Sequence, residues 1–110
     1  MGMPIDISAS EKAIVLDILE RHVPEYDVLA YGSRAGGSPR KHSDLDLAVM
    51  TDRPLDTLRL ADLKDAFTES ALPFNVDLLD WAATAEPFRA LVRQRSILLR
   101  PGSQRPPTPV

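Results

Sequence analysis

The chain has 110 residues, the size of one ordinary domain and too few for two that each bury a core. Charged residues make up 26% and the hydrophobic set 44%, which excludes a disordered polyampholyte. No apolar run approaches the roughly 20 residues that cross a bilayer, and the absence of cysteine excludes disulfides, zinc–thiolate sites and thiol nucleophiles.

The net charge of -3 conceals an asymmetry. All 16 acidic residues precede Pro87, whereas Arg89, Arg93, Arg95, Arg100 and Arg105 follow it with no acid among them. Such a basic end on an acidic body can meet an anionic partner, the protein's own surface or solvent. With 5% aromatic residues and no zinc-finger or RNP-like spacing, direct nucleic-acid binding is not expected. Residues 1–6 carry neither the basic nor the apolar stretch of a secretory signal, so a cytoplasmic location without membrane attachment is expected.

Residues 1–9 read as a lead-in, 10–100 as one domain and 101–110, with four prolines, as a disordered tail. Ser8 and Ser10 both suit a helix N-cap, and Ser8 with Glu11 has capping-box spacing. Ile14, Val15, Ile18 and Leu19 then give one apolar helical face, which Pro24 ends. Residues 27–31 form a short strand, and 32–43, rich in glycine and serine, form a loop. A second strand spans 44–50. Asp56 or Thr57 caps a helix carrying Leu60, Leu63 and Phe67, closed by Pro73. Residues 74–79 make a third strand. Thr84 caps a last helix with Glu86 and Pro87 in its first turn, and Phe88, Leu91, Val92 and Arg95 line one face of it. Residues 96–99 suit a short edge strand. The alternation predicts an α/β (α+β) domain with a small sheet of three to four strands flanked by helices.

Chemistry concentrates on three acids and one turn. Asp44 and Asp46, two apart on a strand, project from the same face. Two carboxylates aimed at one point repel each other, and a divalent cation such as magnesium or manganese relieves that repulsion. Asp77 lies between Val76 and Leu78 in the third strand, where aspartate is depleted; if that strand neighbours the second, the three carboxylates converge. Asp80 has the opposite parity and is not counted. Gly32-Ser33 directly follows the first strand, where a glycine permits a sharp turn close to a ligand. If Ser33 opens a short helix, free N–H groups cradle an anion, and Arg34 can clamp a phosphate. Gly36 and Gly37 keep the rest of the loop clear, and Arg40, Lys41 and His42 read mainly as loop-tip charges. A Gly-Ser turn or an Asp-x-Asp pair alone is commonplace. Together, a phosphate cradle and three metal-binding acids are the parts of two-metal phosphoryl chemistry.

The run Tyr31-Gly-Ser-Arg-Ala-Gly-Gly-Ser-Pro-Arg-Lys-His-Ser-Asp-Leu-Asp-Leu-Ala-Val49 resembles the minimal nucleotidyltransferase (MNT) branch of the polymerase-β-type nucleotidyltransferase superfamily, and residues 72–81 resemble that branch's third-carboxylate strand. One departure is Gly36-Gly37, where many members have arginine before glycine; Arg40 is the residue that could replace it. The resemblance implies a nucleotidyltransferase fold, ATP as substrate, two Mg2+ ions and release of pyrophosphate. It implies that Asp44 and Asp46 ligate both ions and that Asp77 ligates the acceptor-side ion and helps take the acceptor's proton. Gly32, Ser33 and Arg34 would hold the phosphates. It further implies a separate helical HEPN-type partner, and hence an antitoxin that attaches AMP to a tyrosine of that partner. Two other readings stay open: an antitoxin that acts by binding alone, and the nucleotide-binding subunit of a two-component small-molecule nucleotidyltransferase.

Overall fold

Helix α1 (Ala9–His22) opens on Ser8. The Ser8 hydroxyl accepts from the Glu11 backbone N–H at 3.1 Å, and a Glu11 carboxylate oxygen accepts from the Ser8 N–H at 2.9 Å. Of the two candidate caps Ser8 is used, because only it has the glutamate three residues on that completes the exchange. Val15, Ile18 and Leu19 are buried on the inner face, and the helix stops one residue before Val23-Pro24.

A computed structural model describes residues 7–32 and 44–103. Within them the remaining elements are β1 (Val28–Tyr31), β2 (Leu45–Val49), α2 (Thr57–Thr68), β3 (Val76–Asp80), a 3₁₀ turn at Trp81–Ala83, α3 (Glu86–Gln94) and β4 (Ser96–Arg100). The strands form one mixed sheet in the order β3-β2-β1-β4. β1 runs antiparallel to both β2 and β4, whereas β2 and β3 are parallel. A parallel pair needs a crossover, and α2 supplies it. The expected α/β fold with a small mixed sheet is therefore present, including the edge strand at 96–100.

Alternation sorts the sheet's two faces. Val28, Ala30, Leu45, Leu47 and Val49 point to one side, where they are buried with Val15, Leu19, Leu63 and Phe67 of α1 and α2. Ile97 and Leu99 of β4 pack against the same core. The other side carries Leu29, Tyr31, Asp46, Ala48 and Asp77, and α3 reaches it through Phe88, whose ring meets Tyr31 edge-on with centroids 6.2 Å apart.

Three expectations shift. Helix α2 stops at Thr68, well short of Pro73. The Phe67 carbonyl accepts from both the N–H and the hydroxyl of Ser70, which satisfies the helix end early. Thr84 does not cap α3. Its hydroxyl donates to the Asp80 carbonyl at 2.7 Å, and Ala85 stands at the N-cap with no side chain to offer. The apolar stripe of α3 also divides: Val92 is buried, while Phe88 and Leu91 are exposed.

Of the expected tail, Pro101–Ser103 lie against the body. Gly102 N–H donates to Asp27 Oδ1 at 2.7 Å and Ser103 N–H to the Pro24 carbonyl at 2.8 Å. A Cβ at position 102 would run into the backbone of Glu25 and Tyr26, so only glycine allows that approach. Residues 1–6 of the expected lead-in and 104–110 of the tail lie outside the described residues. Among the described residues no helix is long and apolar enough to cross a membrane.

Asp80 ties the crossover together. It accepts from the Thr51 hydroxyl and, at 2.7 Å, from the Leu55 N–H, and Thr51 Oγ1 in turn accepts from the Ala82 N–H at 3.0 Å. Asp80→Ala removes a charged acceptor and strands these donors, so unfolding free energy should fall by about 2 kcal/mol in denaturant titration. Elsewhere, the Arg59 guanidinium 2.5 Å from Glu25 holds that carboxyl below its usual range, chiefly by hydrogen bonding. Its contribution is present above the ordinary carboxylate pKa and is lost as pH falls through the lowered value. Glu25→Gln should therefore cost up to about 1 kcal/mol at neutral pH and progressively less in acid, read from denaturation midpoints across pH.

Candidate active site

Tyr31, Asp46 and Asp77 form a row across β1, β2 and β3, because the register pairs Tyr31 with Asp46 and Asp46 with Asp77. Residues paired in register share a face, so the row occupies the side of the sheet away from α1 and α2. Asp44, exposed, stands two residues before Asp46 just outside β2. Strand register makes Asp46 and Asp77 direct neighbours on one face, and Asp44 lies one residue before β2.

The electrostatics follow from this placement. Burial raises the Asp46 pKa above its ordinary 3.8, and the negative charges of Asp77 and then Asp44 raise it further. Tyr31 is pushed up to about 12, first by burial and then by Asp46 and Asp77, so its phenol is neutral at physiological pH. Among the described residues no three acidic or histidine side chains stand as a ready-made metal cluster. Unneutralised like charges keep apart, and hard oxygen donors on one face are the set that a divalent cation draws in. The residues present therefore fit such a cation chemically.

Gly32 closes the row on the β1 side. Its φ of +81° lies in the left-handed region, and a Cβ there would collide with the Asp46 carboxylate. The sharp turn expected of this glycine is present, and it presses bare backbone against the Asp46 carboxylate. Ser33 and Arg34, the other expected phosphate contacts, lie outside the described residues, as do Gly36, Gly37, Arg40, Lys41 and His42. Asp80 takes no part, since its carboxylate is committed to Thr51 and Leu55.

Tyr31 is the neighbour that sequence reasoning did not single out. The signal available was its place directly before Gly32 at the end of a strand. Its partnership with Asp46, however, depends on a register that the intervening loop conceals. A cavity of about 440 Å³ lined by Phe67, Leu72, Phe74, Asn75 and Val76 belongs to a different place. Phe67, Leu72, Phe74 and Val76 pack with the α1–α2 core, so it opens on the opposite side of the sheet from the acids.

The family profile described as "Polymerase beta, Nucleotidyltransferase" matches residues 15–104. The chain belongs to the polymerase-β nucleotidyltransferase family. It is thus a nucleotidyltransferase by descent and by fold. It is also 50% identical over 96 residues to "Probable protein adenylyltransferase MntA" of Haemophilus influenzae, covering 87% of this chain and 84% of that one. Among solved structures it resembles a toxin–antitoxin crystal structure with AMP-PNP, at TM-score 0.70 and 24% identity over 84% of this chain and 75% of that chain. It also resembles a complex of the tri-AMPylated Shewanella oneidensis HEPN toxin with MNT antitoxin, at TM-score 0.63 and 21% identity over 86% of this chain and 73% of that chain. At these identities the structural likeness establishes the fold.

Gly32→Ala should cost about 1–2 kcal/mol from the left-handed backbone alone, besides displacing the Asp46 carboxylate, and should abolish nucleotidyl transfer. Paired denaturation and activity measurements check both effects. Asp46→Asn should behave oppositely in stability. A raised carboxyl pKa means that the fold favours the protonated form, so stability falls as pH rises from the ordinary value through the raised one. The amide variant should therefore melt above wild type at pH 7 in metal-free buffer, and the gap should narrow below pH 3.8.

Proposed function

We propose that this nucleotidyltransferase is a magnesium-dependent protein adenylyltransferase, an antitoxin that moves AMP from ATP onto a tyrosine hydroxyl of a helical HEPN-type toxin and thereby neutralises it in the cytoplasm. The observation that carries the reading is the registered Asp46–Asp77 pair with Gly32 backbone packed on its central carboxylate. The similarity to the Haemophilus influenzae protein supports the choice of reaction, and the MNT–HEPN complexes of the same fold support the choice of partner.

In this reading Asp44 and Asp46 would hold two Mg2+ ions, with Asp77 as a further ligand to one of them. When bound, the ions lower the pKa of the acceptor hydroxyl and neutralise charge on the phosphates. Gly32, with Ser33 and Arg34, would grip the β- and γ-phosphates through backbone N–H groups and the guanidinium, and the missing Cβ at Gly32 lets this turn lie against the Asp46 carboxylate. This fixes the α-phosphorus in front of the carboxylates. The acceptor oxygen forms a bond to the α-phosphorus while the bond to the bridging oxygen breaks and pyrophosphate departs. Asp77 helps take the proton that the acceptor releases. The neutral phenol of Tyr31 fills the flank of Asp46 without adding charge. Its ring limits water beside the central acid, where electrostatic interactions strengthen as water is excluded.

The experiment is transfer of label from α-labelled ATP, with magnesium, to the HEPN-type protein of the source genome. Wild type should label that protein on tyrosine. Asp77→Asn should lower the rate about a hundredfold or more, since metal-assisted charge stabilisation supplies several kcal/mol. Full labelling by Asp77→Asn would remove that residue from the mechanism, and absence of label with wild type would overturn the reading.

A further inference from the structure

Helix α3 is fastened on three sides. Arg89 donates to the Trp81 carbonyl at 2.7 and 3.2 Å, and the guanidinium carbons of Arg89 and Arg93 lie 4.9 and 5.3 Å from the Trp81 ring centroid. Val92 is buried, and Phe88 meets Tyr31. What remains outward is Phe88, Leu91 and Arg95, a stripe at i, i+3, i+7 along one side of the helix. Phe88 is 41% and Leu91 59% exposed. Arg95 is exposed, and its guanidinium makes no ion pair among the described residues, whereas Arg93 pairs with Glu86 at 2.6 Å. Leu98, 48% exposed, lies on the same side of the sheet as α3, because its strand neighbours Ile97 and Leu99 face the opposite core. Among the described residues, three of the four large exposed hydrophobic side chains therefore gather on α3 and β4.

We infer that this stripe is the surface on which the protein acceptor docks, and that it accepts a helical segment with an apolar face edged by acidic side chains. The inference rests on the protein-acceptor reading above. Two observations carry it. The stripe is continuous with the active site, since Phe88 touches Tyr31 and Tyr31 is paired with Asp46; an acceptor lying along α3 has its side chains beside the carboxylates. The stripe also ends on Arg95, a cation with no ion pair among the described residues, whereas Arg93 of the same helix is paired with Glu86. Charge complementarity then selects an acidic edge on the partner, and the apolar centre supplies the buried contact.

The test uses the full chain and the purified HEPN-type protein of the source genome, with titration calorimetry for affinity and labelled ATP for transfer. Leu91→Glu should weaken partner affinity about tenfold or more and raise KM for the partner, leaving magnesium–ATP affinity and melting temperature as in wild type. Leu91→Ser serves the same purpose if the glutamate variant folds poorly. Arg95→Glu should weaken binding and flatten its dependence on salt. Wild-type partner affinity in both Leu91 and Arg95 variants would overturn the inference. So would a change in self-association of the free chain with partner affinity intact, which would assign the stripe to a second copy. The two readings fail separately: a partner bound through α3 but never labelled sinks the transferase reading alone, whereas undiminished labelling by Leu91→Glu sinks the docking surface alone.

Discussion

Like charge held on one face of a sheet is the constraint around which this molecule is organised. Asp46 and Asp77 are direct neighbours on parallel strands, and Asp44 adjoins them. In the absence of a counter-charge this is unfavourable: the Asp46 carboxyl is shifted upward first by burial and then by the charges of Asp77 and Asp44. The fold tolerates it because Leu45, Leu47 and Val49 on the reverse of the same strand are fully buried and fix β2 in register. The strand's apolar side thus contributes the stability that its acidic side gives up. Slipping β2 by one residue would turn Asp46 into the apolar core and expose Leu45, Leu47 and Val49, so the register is fixed from both sides.

The supporting parts divide the labour in a consistent way. Position 80 closes the crossover, so the acid three residues past Asp77 is structural, whereas Asp77 is exposed on the outer face of the sheet. Trp81, next in the chain, receives Arg89 and Arg93 and so sets where α3 lies. The basic C-terminal segment is accordingly not a uniform solvated run. Arg89 and Arg93 anchor the helix, and Arg100 donates to the Pro24 carbonyl at 3.1 Å. Arg95 alone of these four side chains has no such contact among the described residues.

Much of this was legible in the sequence because its signals are local. The Ser8–Glu11 cap, the proline after α1, the apolar–acidic alternation of β2 and the parity that separates Asp77 from Asp80 each depend on spacings of a few residues. What was hidden depends on long-range pairing. Whether Tyr31 stands opposite Asp46 is decided by the register of two strands joined through a long loop. The fate of Thr84 is decided by the Asp80 carbonyl, which offers a partner that competes with capping. The division of the α3 stripe is decided by Trp81 and Tyr31, which claim different sides of a nine-residue helix. Helix periodicity alone identifies an apolar face without saying how much of it the sheet will cover.

The uncovered part of that face carries a cost. Exposed leucine and phenylalanine side chains cost solubility, and in this chain they adjoin the arginine-rich, acid-free end that offsets that cost with charge. In the docking proposed above, a single nine-residue helix joins the carboxylate row, through Phe88 and Tyr31, to the face that would meet the acceptor, so a change of partner could evolve on α3 without disturbing the strands that hold the acids.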